Sequence, residues 1–328
     1  TKMWKYLFSY DSPQRNDQTN GKILRFYIIF VALFWSVDMP DMWFWVSGWV
    51  LILVTVIGNG LVIYLVMTKP RLHTPANWFI LSLAVADLCA GLAFFPPLFG
   101  AKFFYTVDLT HAGLFFKVSF AFLYCSNTNL FAMTVDRFLA ITKPLRYMSY
   151  MTKETVWAMI ITAWTGPFLL FFLPSIFTYN HNPTFTMFVE ISRVLIFQIL
   201  PLVIFVTATS HLLRIAWKVN RQTRELIAQV RNNHAMNMSG QNIQPPAVFR
   251  VQHRSSTVLI ILVMTAFNIT YLGGNYHCLC FLINLCPFAG TLRYTVYLVL
   301  IDNTAVNPVL YSFFKSDIQK ELFKLFSR

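Results

Sequence analysis

Isolated polar residues stand inside long apolar segments of this chain. Asp87 follows the apolar stretch 83–86, Asn59 lies between two glycines, and Asn303, Asn307 and Pro308 stand close together near the carboxyl end. Burying such groups away from water costs several kcal/mol unless they are paired, so inside a membrane they mark functional sites. An acid on one helix and an Asn-Pro motif on another predict a polar core that holds a helix in one of two positions. A static hydrogen-bonded plug between helices is the alternative.

The composition places these residues in a bilayer. Of the 328 residues, 56% are hydrophobic, 17% aromatic and only 12% charged, whereas a soluble domain averages about 45–50% apolar and about 25% charged residues. Too few charges remain to cover a surface that faces water. The same figures exclude a disordered chain, collagen, a coiled coil and a disulfide-stapled secreted module.

Seven segments are long and apolar enough to cross a membrane. A hydrocarbon core about 30 Å thick needs about 20 helical residues, and the only charges in the seven segments are Asp87 and Asp302. Helices are expected, because an open strand leaves backbone groups unpaired in lipid and no alternating barrel pattern occurs. The predicted fold is an all-α membrane protein, a seven-transmembrane helix bundle whose spans 1 to 7 are 42–68, 72–101, 118–135, 155–189, 194–213, 255–292 and 294–314.

The charge distribution predicts how the chain is oriented. Lys and Arg number 26 against 13 Asp and Glu, and most of the 26 follow spans 1, 3, 5 and 7. Because basic loops face the cytoplasm, the amino terminus is predicted outside and the carboxyl terminus inside, at the plasma membrane. The charges lie between apolar blocks rather than along one face, so nucleic acid is not an expected partner.

The chain divides into four regions. Residues 1–41 are interpreted as an extracellular segment that is truncated or signal-like, whose apolar run 26–37 is too short to span a bilayer. Residues 42–314 form the seven-transmembrane domain. Within it, 220–251 form a cytoplasmic loop of helical extensions joined by a flexible centre. Residues 315–328 place apolar side chains every three to four positions with lysines between them, which predicts an amphipathic helix on the lipid surface.

Six motifs stand in a characteristic order and spacing. They are Gly58-Asn59; Leu83-Ala84-Val85-Ala86-Asp87; Asp136-Arg137-Phe138 continuing into Lys143-Pro144-Leu145; Trp164; Pro201; and Asn307-Pro308-x-x-Tyr311. Together they resemble the rhodopsin-like (class A) G-protein-coupled receptors, over nearly everything from Met42 onward, as a divergent orphan-type member. The resemblance implies an extracellular ligand, either a small molecule or a peptide. It also implies a heterotrimeric G protein as partner and an outward movement of span 6 that transmits the signal.

The resemblance implies roles for individual residues. Arg137 pairs with Asp136 in the off state and swings into the cavity for a G-protein helix on activation, and Leu145 presents an apolar knob to the G protein. The coupling and switch residues are Asp136, Arg137, Phe138, Leu145, Tyr271, Asn307, Pro308 and Tyr311. A sodium pocket, in which hard oxygen ligands surround one carboxylate, would hold Na⁺ as an allosteric ion and consists of Asp87, Ser126, Asn303 and Asn307.

Several positions depart from the family pattern. The span 6 motif Cys-Trp-x-Pro is replaced by 270–273, with Tyr271 at the Trp position. His253 stands in place of an acid near the base of span 6, which removes a restraint on Arg137, and Thr209 replaces a tyrosine on span 5. The usual disulfide to the second outer loop is missing, because Ala112 occupies one of its positions. A short outer-loop disulfide between Cys286 and either Cys280 or Cys278 is one alternative, and no disulfide is the other.

The ligand is less well specified. Ser119 stands where amine receptors carry an Asp, so an amine salt bridge is not expected, and span 7 has no lysine for a retinal Schiff base. Arg193 either grips a carboxylate or phosphate, or reaches the headgroups or pairs with Glu190. The positions that match the family's ligand cavity, mostly apolar with a few polar groups, are Ser119, Phe120, Leu123, Arg193, Phe197, Asn275 and Tyr297.

Catalytic patterns are missing from the sequence. It has no Gly-x-Ser-x-Gly, no His-Glu-x-x-His and no phosphate loop, and its histidines are too dispersed for a metal site. The chain is therefore predicted not to be an enzyme. Two rival functions remain: a degenerate receptor that serves as a scaffold without G-protein coupling, and a seven-span transporter.

Overall fold

The protein is described by a computed structural model over residues 42–103, 109–177, 188–189, 191–193, 195–236, 265 and 290–327. All long elements in this part are α-helices. Nearly all of span 6 and the segment 1–41 lie outside the described residues. The helices are Met42–Thr68 for span 1, Pro75–Phe103 for span 2, Leu109–Thr142 for span 3, Lys153–Phe177 for span 4, Leu200–Met236 for span 5 and Gly290–Phe314 for span 7.

Two helices are much longer than the apolar stretches that predict them. The helix of span 3 has 34 residues and that of span 5 has 37. A charged residue ends an apolar stretch but does not end a helix, because Lys, Arg and Glu are good helix formers. The helix of span 5 therefore includes residues 220–236 of the predicted cytoplasmic loop, and residues 237–251 lie outside the described part.

Short connections place neighbouring spans side by side. A 3₁₀ turn, Pro70–Leu72, joins spans 1 and 2, and a second one, Pro144–Arg146, follows span 3 and leads into the helical turn Tyr147–Tyr150. Each 3₁₀ turn begins with proline, whose fixed φ suits a first helical position. Span 1 packs against spans 2 and 7, span 2 against span 3, and span 3 against spans 4 and 5.

The outward surface of the bundle is apolar. On span 1, Val46, Val50, Leu53 and Ile57 are all more than half exposed and recur every three or four residues. The inward face carries the buried Thr55 and Asn59 in addition to apolar side chains. This arrangement suits a helix that meets lipid on one side and a polar interior on the other.

Four helices in the described part combine the length and the apolar composition that crossing a membrane requires. They are Met42–Thr68, Pro75–Gly100, Lys153–Leu173 and Ile191–Ile215. Spans 3 and 7 are also long enough, with helices of 34 and 25 residues. They carry more polar side chains, several of them buried, because these two helices line the interior.

Span 1 and span 7 touch at a glycine. A Cβ atom built on Gly58 would lie 2.7 Å from Cγ of Pro308, whereas one built on Gly60 would meet nothing within 4 Å. The close approach of the two helices therefore requires glycine at position 58. The flanking Gly60 faces open space.

The carboxyl-terminal helix Ser316–Phe326 is docked onto the bundle by one apolar and one polar contact. Ile318 is fully buried in the core cluster that includes Val62 and Leu72. Beside it, the ammonium of Lys315 donates to Oδ1 of Asn77 at the start of span 2, and Nδ2 of Asn77 donates to Asp317 at 3.1 Å. Asn77 thus holds the end of span 7 and the start of the terminal helix together, and this trio is called the Lys315 clasp below.

The clasp contains a buried cation. Lys315 is 9% exposed, and its burial lowers the pKa of the ammonium from 10.5 to about 8, although the carboxylate of Asp317, 3.8 Å away, opposes this effect. The nearby guanidinium of Arg137 lowers the pKa further, and the carboxylate of Asp136 raises it. The charge of Lys315 is therefore retained near neutral pH at a cost in stability.

Replacing Gly58 with Ala should destabilise the protein, and replacing Gly60 with Ala should not. Alanine favours a helix over glycine by about 0.5–1 kcal/mol at either site. At position 58 the clash with the rigid ring of Pro308 outweighs this gain, since overpacking costs about 1–3 kcal/mol. Thermal unfolding of the two variants in micelles should give a lower midpoint for Gly58→Ala and an equal or higher one for Gly60→Ala. Equal midpoints in the two variants would contradict the close contact.

The stability of the protein should rise between pH 8 and pH 10, and Lys315→Met should remove this rise. The unfolded chain keeps the Lys315 proton up to about pH 10.5, whereas the folded protein loses it near pH 8. Unfolding therefore takes up a proton between these two pH values. As the pH rises through this window, the free energy of unfolding increases by at most about 3 kcal/mol. Unfolding midpoints at pH 7, 8, 9 and 10 measure the effect. The exposed Lys320→Met serves as the control and should keep the wild-type pH dependence. If the Lys315→Met variant kept the wild-type pH dependence, Lys315 would not be the group that causes it.

Candidate functional site

The carboxylate of Asp87 joins three spans. The side chain is fully buried in the middle of span 2, and Ser126 of span 3 donates its hydroxyl hydrogen to Oδ1. Asn307 of span 7 donates from Nδ2 to Oδ2 at 2.9 Å. Three of the four residues predicted for a sodium pocket thus lie together. The fourth, Asn303, is partly exposed, and among the described residues no hydrogen bond joins it to Asp87.

Asn59 ties span 1 to span 7 beside this carboxylate. Its Nδ2 donates to the carbonyl oxygens of Thr55 and Thr304, both at 3.0 Å, and the hydroxyls of these two threonines lie 3.2 Å apart. The Oδ1 atom of Asn59 is buried and has no hydrogen-bond partner within the described ranges. The interior therefore offers a bare acceptor oxygen near the polar core.

A second set of hydrogen bonds fixes spans 2, 3 and 4. Ser82 donates to Oδ1 of Asn129 at 2.6 Å, and the indole N–H of Trp164 donates to the hydroxyl of Ser82 at 3.0 Å. One residue earlier on each of spans 3 and 4, the hydroxyl of Thr128 donates to the carbonyl of Ala163 at 2.6 Å. These bonds hold span 3 in place, and span 3 carries both Ser126 and the Asp136-Arg137 pair.

The end of span 3 that leads to the helical turn Tyr147–Tyr150 carries a partly buried ion pair. Nε of Arg137 lies 3.2 Å from Oδ2 of Asp136, whose side chain is completely buried, and Arg137 itself is 20% exposed. Tyr147 donates its hydroxyl hydrogen to Oδ1 of Asp136 at 2.6 Å. Burial, and then this hydrogen bond, raise the pKa of the Tyr147 phenol. The Nη2 atom of Arg137 is buried without a hydrogen-bond partner in the described part of the chain.

Exposed apolar side chains lie close to this ion pair in the chain. Leu145 is 99% exposed and Met148 is 72% exposed, so the loop after span 3 presents apolar side chains to its surroundings. Phe138 lies against His211 of span 5, with ring centroids 5.4 Å apart. Pro308 is buried inside the helix of span 7. Tyr311 lies on the last turn of that helix, and Tyr271 lies outside the described residues.

The outer half of the bundle contains stacked aromatic rings. Tyr124 of span 3 lies between Phe171 of span 4 and Phe197 of span 5, with centroid distances of 5.3 and 5.0 Å. The guanidinium carbon of Arg193 stands 4.8 Å from the centre of the Phe171 ring. Arg193 and Phe197 therefore belong to the same cluster of aromatic contacts. Glu190, the alternative partner of Arg193, lies outside the described residues.

The other predicted ligand-cavity residues form a neighbouring group. Phe94 of span 2 contacts both Phe120 and Tyr297, at centroid distances of 5.9 and 5.7 Å. Leu123 packs against the same cluster. Ser119 donates its hydroxyl hydrogen to the carbonyl of Ala93 at 2.7 Å and is fully buried. Asn275 lies outside the described residues, as do Cys278, Cys280 and Cys286, which the disulfide alternatives involve.

Little in the sequence indicates that some of the residues at these sites have a role. Tyr147 belongs to no motif, and its role follows only from a loop that folds back onto span 3. Lys315 is one of several basic residues after span 7, and nothing in its spacing distinguishes it from the exposed Lys320. Asn77 offered a weak signal, because it is a polar residue in the first turn of a span that is otherwise apolar.

Comparison with known proteins agrees with the geometry. The family described as 7 transmembrane receptor (rhodopsin family) matches residues 58–311. Human olfactory receptor 51T1 is 28% identical over 152 residues, which is 46% of each chain. Mouse 5-hydroxytryptamine receptor 6 is 34% identical over 39% of this chain and 31% of its own length. Mouse G-protein coupled receptor 3 is 27% identical over 276 residues, covering 81% of this chain and 77% of that receptor.

The chain thus spans about half the length of the first olfactory relatives that it matches. The family match is longer and includes all six motifs, from Gly58-Asn59 at its start to Tyr311 at its end. It confirms the predicted resemblance, the seven-helix bundle and the prediction that the chain is not an enzyme. Because the match covers more than half of the chain, this multi-pass membrane protein belongs to the rhodopsin family of seven-transmembrane receptors.

Proposed function

We propose that the protein is a plasma-membrane receptor that transmits the binding of an extracellular ligand to heterotrimeric G proteins. Its amino terminus lies outside and its carboxyl terminus inside, as the basic loops after spans 1, 3, 5 and 7 favour. Ligand binding favours an arrangement in which span 6 has moved outward. The cavity that opens on the cytoplasmic side then accepts a helix of the G protein.

The observation that carries this proposal is the ion pair at the end of span 3. The carboxylate of Asp136 pairs with the guanidinium of Arg137 and accepts a hydrogen bond from the hydroxyl of Tyr147. The guanidinium is therefore held against its own helix. Release of this pair would free Arg137 to extend into the cytoplasmic cavity. The exposed Leu145 and Met148 would supply apolar contact area for the same partner.

Span 7 is the second moving part in this proposal. Asn307 contacts Asp87, and Pro308 rests on Gly58. A proline inside a helix removes one backbone hydrogen bond and gives a point of bending. A small inward shift of the segment after Pro308 would therefore disturb the Lys315 clasp, because Lys315 follows the last residue of span 7 directly.

The outer cluster around Arg193 is the proposed ligand site. A guanidinium beside three stacked rings suits a ligand that combines an anionic group with an apolar or aromatic body. Either a small molecule or a peptide could provide both features. Such a ligand shifts the receptor only by the difference between its affinities for the two arrangements.

Sodium is the proposed allosteric ion at Asp87. The two polar side chains that contact this carboxylate, Ser126 and Asn307, are neutral, and a buried carboxylate requires a proton or a cation. The carboxylate and hydroxyl oxygens suit Na⁺ as a hard cation. The amide of Asn307 now donates to the carboxylate, so coordination by Asn307 or Asn303 would require the amide to turn its oxygen towards the ion.

Two alternatives have specific support. A receptor that serves as a scaffold without coupling is favoured by Tyr271, Leu272 and Gly273, which replace the usual span 6 switch. A transporter would need charged groups along a path through the bilayer. The sequence places only Asp87 and Asp302 inside the predicted spans, so the transporter is the weaker alternative.

The purified protein should accelerate nucleotide exchange on at least one class of G protein without any ligand. His253 supplies no acid to restrain Arg137, so basal activity should be high. In vesicles that contain each G-protein class in turn, Arg137→Ala should lower the exchange rate by about ten-fold, equivalent to about 1.4 kcal/mol. His253→Glu should lower it as well. The exposed Arg146→Ala is the matched control and should remain close to wild type. A correctly folded protein that activates no class would favour the scaffold.

Sodium should lower basal exchange, and Asp87→Asn should abolish this sensitivity. Exchange rates and unfolding midpoints are compared in NaCl and KCl at equal ionic strength, so one of the two readouts does not require a G protein. Asp302→Asn, which removes the other intramembrane acid, is the matched control and should respond to sodium like the wild type. If Asp87→Asn keeps the wild-type sodium response, the ion site is elsewhere.

A further inference from the structure

The helix of span 5 continues well past its membrane-spanning part. The apolar segment is Ile191–Ile215, whereas the helix runs on to Met236. At 1.5 Å per residue this extension is about 30 Å long. Its first two turns lie where the hydrocarbon gives way to the headgroups of the cytoplasmic leaflet.

One face of span 5 points away from the bundle. Phe205, Ala208 and Leu212 are buried and mark the inward side, whereas Leu200 and Val203 are each 53% exposed on the opposite side. Successive residues turn by about 100° around a helix, so the outward stripe of Leu200 and Val203 continues along the extension.

The residues that continue this outward stripe are basic or aromatic. Arg214 lies three residues before Trp217, and Arg221 lies three residues after Lys218, so these four residues share the side of the helix opposite Leu212. All four are exposed, Trp217 by 81% and the side chain of Arg221 by 83%. Between Val203 and Arg214 this stripe carries Thr207 and Ser210, so it changes along the helix from aliphatic through hydroxyl to cationic side chains, with Trp217 among the cations.

We propose that Arg214, Trp217, Lys218 and Arg221, named here the span 5 basic patch, bind the headgroups of anionic phospholipids in the cytoplasmic leaflet. Tryptophan prefers the interface between hydrocarbon and headgroups. Lysine and arginine just beyond a span attract acidic lipids, each by about 1 kcal/mol. The patch continues the lipid-facing stripe, so a lipid reaches it without leaving the bilayer.

The charge of the patch remains positive after its neighbours are counted. Glu225 lies one turn further along and pairs with Arg221 at 2.9 Å. Both side chains are more than half exposed, so this pair contributes little and screens Arg221 only in part. Arg214 and Lys218 make no ion pair with any described residue. Two full cations and one partly paired cation therefore face the headgroups.

The test measures lipid association directly. The full-length protein is placed in phosphatidylcholine nanodiscs that contain spin-labelled phosphatidylserine or spin-labelled phosphatidylcholine, and the motionally restricted fraction of each label is recorded. Phosphatidylserine should be enriched beside the protein. Replacing Arg214, Lys218 and Arg221 together with Gln should lower that enrichment by at least about five-fold, the factor expected for the loss of even one cation. Trp217→Ala should lower it less.

Controls separate this patch from general charge effects. Replacing the three exposed basic residues Lys143, Arg146 and Lys153 with Gln changes the net charge equally and should leave most of the enrichment intact. Replacing Arg214 and Arg221 with Lys keeps the charges and should preserve it. An unfolding midpoint near wild type shows that each variant is folded.

Two results would overturn the proposal: equal enrichment in the triple Gln variant and the wild type, or no enrichment of phosphatidylserine over phosphatidylcholine beside the wild type. The assay contains neither nucleotide nor G protein, so it can fail independently of the proposed receptor function.

Discussion

A carboxylate sealed inside an apolar bundle has no water to solvate it, and the interior of this protein is organised around that constraint. Asp87 obtains its partners from span 3 through Ser126 and from span 7 through Asn307. Among the described helices, that of span 3 carries the most buried polar side chains, which accounts for its weaker apolar character. An arrangement in which three helices share one buried anion is sensitive to the position of each of them. Any ion or proton that neutralises Asp87 therefore changes how spans 2, 3 and 7 fit together.

The end of the bundle that carries Asp136 also buries charged groups that depend on partners from other parts of the protein. Asp136 pairs with Arg137, and Lys315 bonds to Asn77 nearby, so an acid and two cations lie partly or fully out of water. Breaking a buried pair by removing one partner is costly, whereas moving both partners into a water-filled cavity is not. Opening of the cavity would hydrate Arg137 and Lys315 together. In the proposed mechanism, these buried charges are the ones that gain most from opening.

The sequence predicted the long helices well, because each depends on an apolar pattern within a single segment. Asp87 and Asn307 were recognisable from the motifs that contain them. Tyr147 and Lys315 were not, since their roles depend on where a loop and a helix junction return in space rather than on their own neighbours in the chain. Helix length was also underestimated: the apolar stretches of spans 3 and 5 end before Asp136 and Arg214, but the helices continue through Arg137 and Lys218, as the propensities of these two residues allow.

The departures from the family pattern concentrate on the helices expected to move. Thr209 of span 5 buries a hydroxyl without a hydrogen-bond partner among the described residues, and His253 brings no acid to the base of span 6. Asp136, by contrast, restrains Arg137 from the same helix, and a bond within one helix does not resist the movement of another. Under the proposed receptor function, the off state is held by spans 2, 3 and 7 and by the Lys315 clasp, and the substitutions at positions 209 and 253 remove restraints from spans 5 and 6. In the proposed mechanism this makes the two arrangements close in free energy, so a ligand with only a modest preference for one of them is enough to shift the balance.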